Sequence, residues 1–161
     1  TSEDLEKRAR ESVHLIYEDP ISLDKTYGHL SQGGRDDSIS VTMTQTRNGK
    51  SEFYLIFEST TKNWVFFKRI EVRCGEKVFT FNFQSDSVHR TVLSHDKVVE
   101  IAALQVKGNA LKLLECLKSN PQTKVIRFSG QEFNTQNISG VEVEAIQDML
   151  LIKKLVETKK Y

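Results

Sequence analysis

Most aromatic residues of this chain fall between Phe53 and Phe83, and many recur at every second position. Phe53, Leu55 and Phe57 alternate along one run; Phe79, Phe81 and Phe83 alternate along another, with Thr80 and Asn82 between them. A period of two places successive side chains on opposite faces of a strand, so this block is expected to fold as β-structure with most rings facing inward. Polar turn segments separate the runs. In Arg47-Asn48-Gly49-Lys50 the Asn-Gly pair suits the positive φ angles of a tight hairpin, and Gly75-Glu76-Lys77 turns the chain again.

The rest of the chain extends this pattern. Ile39, Val41 and Met43 alternate with Ser40, Thr42 and Thr44, a half-buried strand. Residues Glu52 to Phe57 are apolar on both faces because of Tyr54 and Ile56, which predicts a central strand. Trp64 to Val72 reads as a third strand with Lys68 out of phase, and Val78 to Phe83 as a fourth. Val88 to Leu93 reads as a further strand; in Lys97 to Val106 the spacing of Val98, Ile101 and Ala102 suits a helix, while the β-branched content and the Lys107-Gly108 turn favour a strand.

Three helices are expected. Leu5, Ala9, Val13 and Ile16 recur at helical spacing from Ser2 to Tyr17, with Ser2 as cap and Pro20 beyond the end. Asn109 to Ser119 carries a Leu111, Leu114, Leu117 stripe, with Asn109 as cap. Lys124 to Phe128 is a short strand, and Ser129 to Gln136 a loop. Ser139-Gly140-Val141-Glu142 is a capping box, with Ile138 and Val143 placed for its hydrophobic staple, opening a helix that turns Val143, Ile146, Met149, Leu150 and Val156 inward. The expected class is α+β: an antiparallel β-meander of about five to seven strands with N-terminal, middle and C-terminal helices packed on it. Residues 1–161 read as one domain, with 1–37 an N-terminal helix and flexible loop and 38–161 the sheet-and-helix core. Gln32 to Asp37 is polar and glycine-rich and reads as a connector or binding loop.

Composition narrows the function classes. The 161 residues are 38% hydrophobic and 28% charged with a net charge of +1, and the charges are mixed along the chain. No basic stripe points to nucleic acid, and no apolar run reaches the ~20 residues of a membrane helix. The sequence starts at Thr1, which fits a chain of the cell envelope or a secreted one after processing; the alternative is cytoplasmic. Two cysteines, Cys74 and Cys116, are too few for a disulfide scaffold. Cys116 among leucines reads as a buried thiol, and Cys74 as the more exposed one beside Arg73 and Lys77. A bond between them requires Cα atoms within ~7 Å.

The strand Lys124-Val125-Ile126-Arg127-Phe128-Ser129-Gly130 and the capped terminal helix give the later part of the chain a look similar to small bacterial α+β domains of unknown function, exported or phage-linked. That resemblance transfers no functional residue and names no activity.

The chemistry-bearing residues are few. His89, His95 and Asp96 are the densest group of metal-ligand types, though their spacing fits no established site. Arg127, between Ile126 and Phe128, is a candidate anion contact, and Tyr54 a candidate on a second apolar face. No phosphate loop, dinucleotide fingerprint or Gly-x-Ser-x-Gly elbow occurs, so no cofactor is expected. The first expectation is therefore a non-enzymatic binding or protein-interaction domain. Its partner would be a protein met through a sheet edge or the N-terminal helix, with a homo-oligomer allowed. The alternatives are a small hydrolase or metal-dependent enzyme using His89, His95 and Asp96, and a ligand-binding envelope protein.

Overall fold

The computed structural model describes residues 1–31 and 37–161. The chain is α+β with antiparallel sheets, as the alternation demanded, but its strands divide between two sheets. Helix α1 (Ser2–Ser12) is followed by β1 (Val13–Glu18), β2 (Lys25–His29), β3 (Ile39–Gln45), β4 (Ser51–Thr61), β5 (Arg69–Cys74), β6 (Lys77–Asn82), β7 (His89–Ser94) and β8 (Lys97–Gln105). Then come α2 (Gly108–Lys118), β9 (Lys124–Ser129), β10 (Phe133–Asn137) and α3 (Gly140–Glu157). One sheet runs β1-β2-β3-β4-β8-β7 and the other β10-β9-β5-β6.

The core lies between the inner faces of these sheets and the helices. Phe53, Leu55 and Phe57 of β4 are buried, as are Ile70 and Val72 of β5 and Ile126 and Phe128 of β9. Rings close the contact: Phe57 meets Phe81 at 5.3 Å and Phe67 meets Phe128 at 5.1 Å between centroids. Strand β4 is central, between β3 and β8. Tyr54 and Ile56 lie on its outer face opposite Thr42, Ser40, Gln105 and Ala103, half-buried by their neighbours across the sheet.

Segment Trp64–Lys68 is a crossover between the sheets rather than the start of a strand. The Val65 amide donates to the buried Glu100 carboxylate at 2.9 Å, and Arg90 pairs with that carboxylate at 2.9 Å. Val65 and Phe67 are buried while Phe66 stands at φ 52. The strand phase therefore starts only at Arg69, which explains why Lys68 is out of step. Gly130 has to be glycine, because a Cβ there would lie 2.2 Å from the Phe66 carbonyl oxygen.

Three boundaries differ from expectation. The first helix ends at Ser12, not Tyr17, and its cap is Thr1, whose hydroxyl accepts from the Asp4 amide. The run Val13-His14-Leu15-Ile16-Tyr17 is β-branched and aromatic, and pairing with β2 outweighs its helical spacing. In α2 the cap position is Lys107 with no side-chain bond, so Asn109 lies inside the helix. The expected loop from Ser129 contains β10, a polar edge strand paired with β9. The α3 capping box is present: the Ser139 hydroxyl accepts from the Glu142 amide at 3.1 Å, and the Glu142 carboxylate accepts from the Ser139 amide at 3.0 Å. The other oxygen of that carboxylate accepts from the amides of Ser38 and Ile39, tying the helix start to β3.

Cys74 is not an exposed thiol. It is 1% exposed and joined to Cys116 in a disulfide with Cα atoms 6.3 Å apart, linking β5 to α2. Among the described residues no helix is long and apolar enough to cross a membrane.

Candidate functional site

Strand β1 is an edge of the six-stranded sheet, and its hairpin with β2 carries an unusual load of exposed apolar residues. Leu15, Ile16 and Tyr17 are 46%, 50% and 56% exposed on the strand, and Ile21 and Leu23 are 90% and 42% exposed in the turn. The register slips between Leu15 and Tyr17, leaving Ile16 as the extra residue of a bulge. Past the bulge Tyr17 pairs with Thr26, so Leu15 and Tyr17 leave the strand on opposite faces. The apolar surface thus wraps the edge and continues to the tip.

The tip is built tightly. The Asp19 carboxylate accepts from the amides of Ile21 at 2.8 Å and Ser22 at 2.9 Å, and the Asp19 amide donates to the Asp24 carbonyl at 2.9 Å. Those amide bonds, Ser22 first and Ile21 second, hold the Asp19 carboxyl below the usual carboxylate range. Asp24 in turn accepts from the Arg47 amide at 3.3 Å, bracing the tip against the next hairpin. Leu23 stands at φ 65, a conformation that costs a branched residue energy and that glycine or asparagine would adopt freely. A turn this well bonded could fold around a polar residue, yet it presents Ile21 and Leu23.

The base of the hairpin is anchored by a buried polar network. His29, at the end of β2, places Nε2 2.8 Å from Asp148 Oδ2 on α3. The Ser31 amide donates to His29 Nδ1 at 3.1 Å, and the Ser31 hydroxyl lies 2.8 Å from the same nitrogen. A ring nitrogen that accepts an amide proton leaves the other nitrogen as donor, so Nε2 donates to Asp148. Arg8 of α1 gives Asp148 Oδ1 two further bonds, from Nε at 3.0 Å and Nη2 at 2.7 Å. Asp148 is almost fully buried, whereas Arg8 is half-exposed. Three elements, α1, β2 and α3, thereby share one carboxylate.

Ser31, His29 and Asp148 form a hydrogen-bonded line of the residue types found in hydrolases. Its polarity is that of an anchor: Nδ1 already accepts the Ser31 amide, and Asp148 is neutralised by Arg8. The sequence signal for it was Asp148 itself, a carboxylate in the stripe Ala145, Met149, Ile152 of a helix's buried face.

The residues singled out from the sequence lie elsewhere. His89 opens β7 opposite Ile101 and contacts Thr91 Oγ1 at 3.0 Å. His95 and Asp96 form the turn at the far end of that strand, where Asp96 accepts from the Ser94 hydroxyl at 2.7 Å. An extended strand of this length keeps the two histidines about 15–20 Å apart, so His89, His95 and Asp96 do not converge. Among the described residues no three His, Cys, Asp or Glu side chains form a metal-binding group. Tyr54 donates to Glu52 at 2.6 Å on the outer face of the large sheet, a bond that raises the Tyr54 pKa and lowers that of Glu52. Arg127 is exposed on the outer face of the four-stranded sheet, opposite Glu71, with its guanidinium 5.7 Å from the Phe133 ring centre. Of the stretch Gln32 to Asp37, read as a connector or binding loop, residues 32–36 lie outside the described residues.

Searches against protein families, curated proteins and solved structures find no match for this chain.

Proposed function

We propose that the chain is a non-enzymatic protein-interaction domain of an oxidising compartment, with the β1–β2 hairpin as its contact element. The observation that carries this reading is Ile21, 90% exposed at the tip of a turn whose backbone is fixed by Asp19. Exposed apolar side chains on a rigid support lose little entropy on binding, which is how hot-spot residues gain their effect. Among the described residues β1 has a strand partner only on its β2 side, so its other edge presents backbone groups able to pair beside them.

Charge selects the kind of partner. Glu18, Asp19 and Asp24 surround the apolar tip, with Lys25 the nearest cation in sequence. Anionic lipid would repel such a tip, whereas a protein cleft with an apolar floor and a basic rim would accept it. The disulfide between Cys74 and Cys116 supports the compartment, because thiols of reducing compartments are kept reduced.

The test is position-specific photo-crosslinking in the producing cells. A photoreactive residue at position 21 should give discrete protein adducts, and one at exposed Thr80 on the other sheet should not. Equal adducts from both positions, or sedimentation of the chain with phosphatidylglycerol vesicles, would refute the reading.

A further inference from the structure

The outer face of the four-stranded sheet holds a groove of about 550 Å³ that the hairpin leaves unused. Its walls are the rings of Phe66 and Phe133, 38% and 69% exposed. Lys68 and Arg69 bring positive charge to the lining, and Asn82 and Gln131 line the same space. Lys68 makes no ion pair among the described residues, and Arg69 has only a 3.7 Å contact with Glu71.

The floor carries an unsatisfied group. Ser129 is 7% exposed, and its buried hydroxyl has no hydrogen-bond partner among the described residues. The register pairs Ser129 with Arg69 on one side and Phe133 on the other, and it shares the parity of outward-facing Arg127. The hydroxyl therefore faces the groove side, between its cross-strand neighbours Arg69 and Phe133. A buried hydroxyl without a partner is costly, and a ligand that bonds to it removes the cost. Phe66 is held at φ 52 with the Arg90 guanidinium 5.2 Å from its ring centre, so one wall is both strained and braced.

We infer that this groove binds an acidic sugar, a hexose ring bearing a carboxylate. The lining supplies what that chemistry needs in one place. Aromatic rings pack against the C–H face of a sugar, Asn82, Gln131 and Ser129 bond its hydroxyls, and Lys68 with Arg69 takes the carboxylate. An aromatic acid would leave the amides and the hydroxyl unmatched; a neutral sugar would leave the Lys68 ammonium unmatched.

The inference is independent of the hairpin and is tested on the full chain by amide NMR with sodium glucuronate as probe. Glucuronate should give saturable shifts at Gly130, Gln131 and the Asn82 side-chain amide, with glucose and benzoate each about tenfold weaker. Ser129→Ala should weaken glucuronate binding while leaving the melting temperature equal or higher, since it removes an unsatisfied group. No saturable shift at tens of millimolar, benzoate binding as well as glucuronate, or a fall in melting temperature for Ser129→Ala would each overturn it.

Discussion

Asp148 and Asp19 are both hydrogen-bonded carboxylates, and their surroundings give them opposite weights. Asp148 is buried with Arg8 and His29 on it, so Asp148→Ala leaves His29 Nε2 without its partner and leaves Arg8 only a 3.9 Å contact with Glu144. The expected cost is about 2–3 kcal/mol in urea unfolding, below that of a fully buried pair because Arg8 can rehydrate; a loss under about 0.5 kcal/mol would contradict the anchor. Asp19 is half-buried at the surface and acts locally. Its folded pKa is depressed, so its support of the turn is complete above the ordinary carboxylate range and is lost as pH falls through the folded value. Amide exchange at Ile21 and Ser22 should therefore accelerate, after correction for intrinsic pH dependence, only on the acid side of about pH 4. The residue scale was partly legible. Asp148 in an apolar stripe could have been noticed from spacing alone. His29 could not, because its partner lies 119 positions away. His89, His95 and Asp96 were close in sequence only, since an extended strand separates what spacing suggests is clustered.

Elements were legible where local chemistry decides them. The α3 capping box needs only four residues, and the structure contains it. Ser139→Ala should cost about 1 kcal/mol. Glu142→Ala should cost more, about 2–3 kcal/mol, because the same carboxylate also holds the amides of Ser38 and Ile39; equal losses by thermal unfolding would mean that the bridge to β3 contributes nothing. The end of α1 was not legible, since Leu5, Ala9, Val13 and Ile16 satisfy a helical period while only tertiary pairing with β2 recruits Val13 onward into a strand. Strand β10, Phe-Asn-Thr-Gln-Asn, has no hydrophobic alternation to reveal it. The disulfide joins β5 to α2 across 42 positions, and loop-closure entropy puts its effect at up to about 4 kcal/mol. A Cys74→Ala, Cys116→Ala double variant should lose about 2–4 kcal/mol in denaturant; unchanged stability would indicate that the two sheets and α2 hold together without the crosslink.

At the scale of the whole molecule, two sheets rather than one meander is what composition and periodicity could not reveal. Alternation marks a strand but not its neighbour, and the crossover at Trp64–Lys68 is fixed by Glu100 and Arg90, which come later in the chain. Among the described residues, division into two sheets leaves each with free edges. At one of them the chain sets a braced hairpin whose tip exposes Ile21 and Leu23 among acidic residues. The most direct measurement of the central claim is competition for the photo-crosslink from position 21, with unlabelled wild-type chain and an Ile21→Asp, Leu23→Asp chain as competitors. The hairpin reading predicts that wild type abolishes the adduct, and that the double variant, with an unchanged melting temperature, does not. Equal competition by both chains would show that the apolar tip is not what the partner recognises.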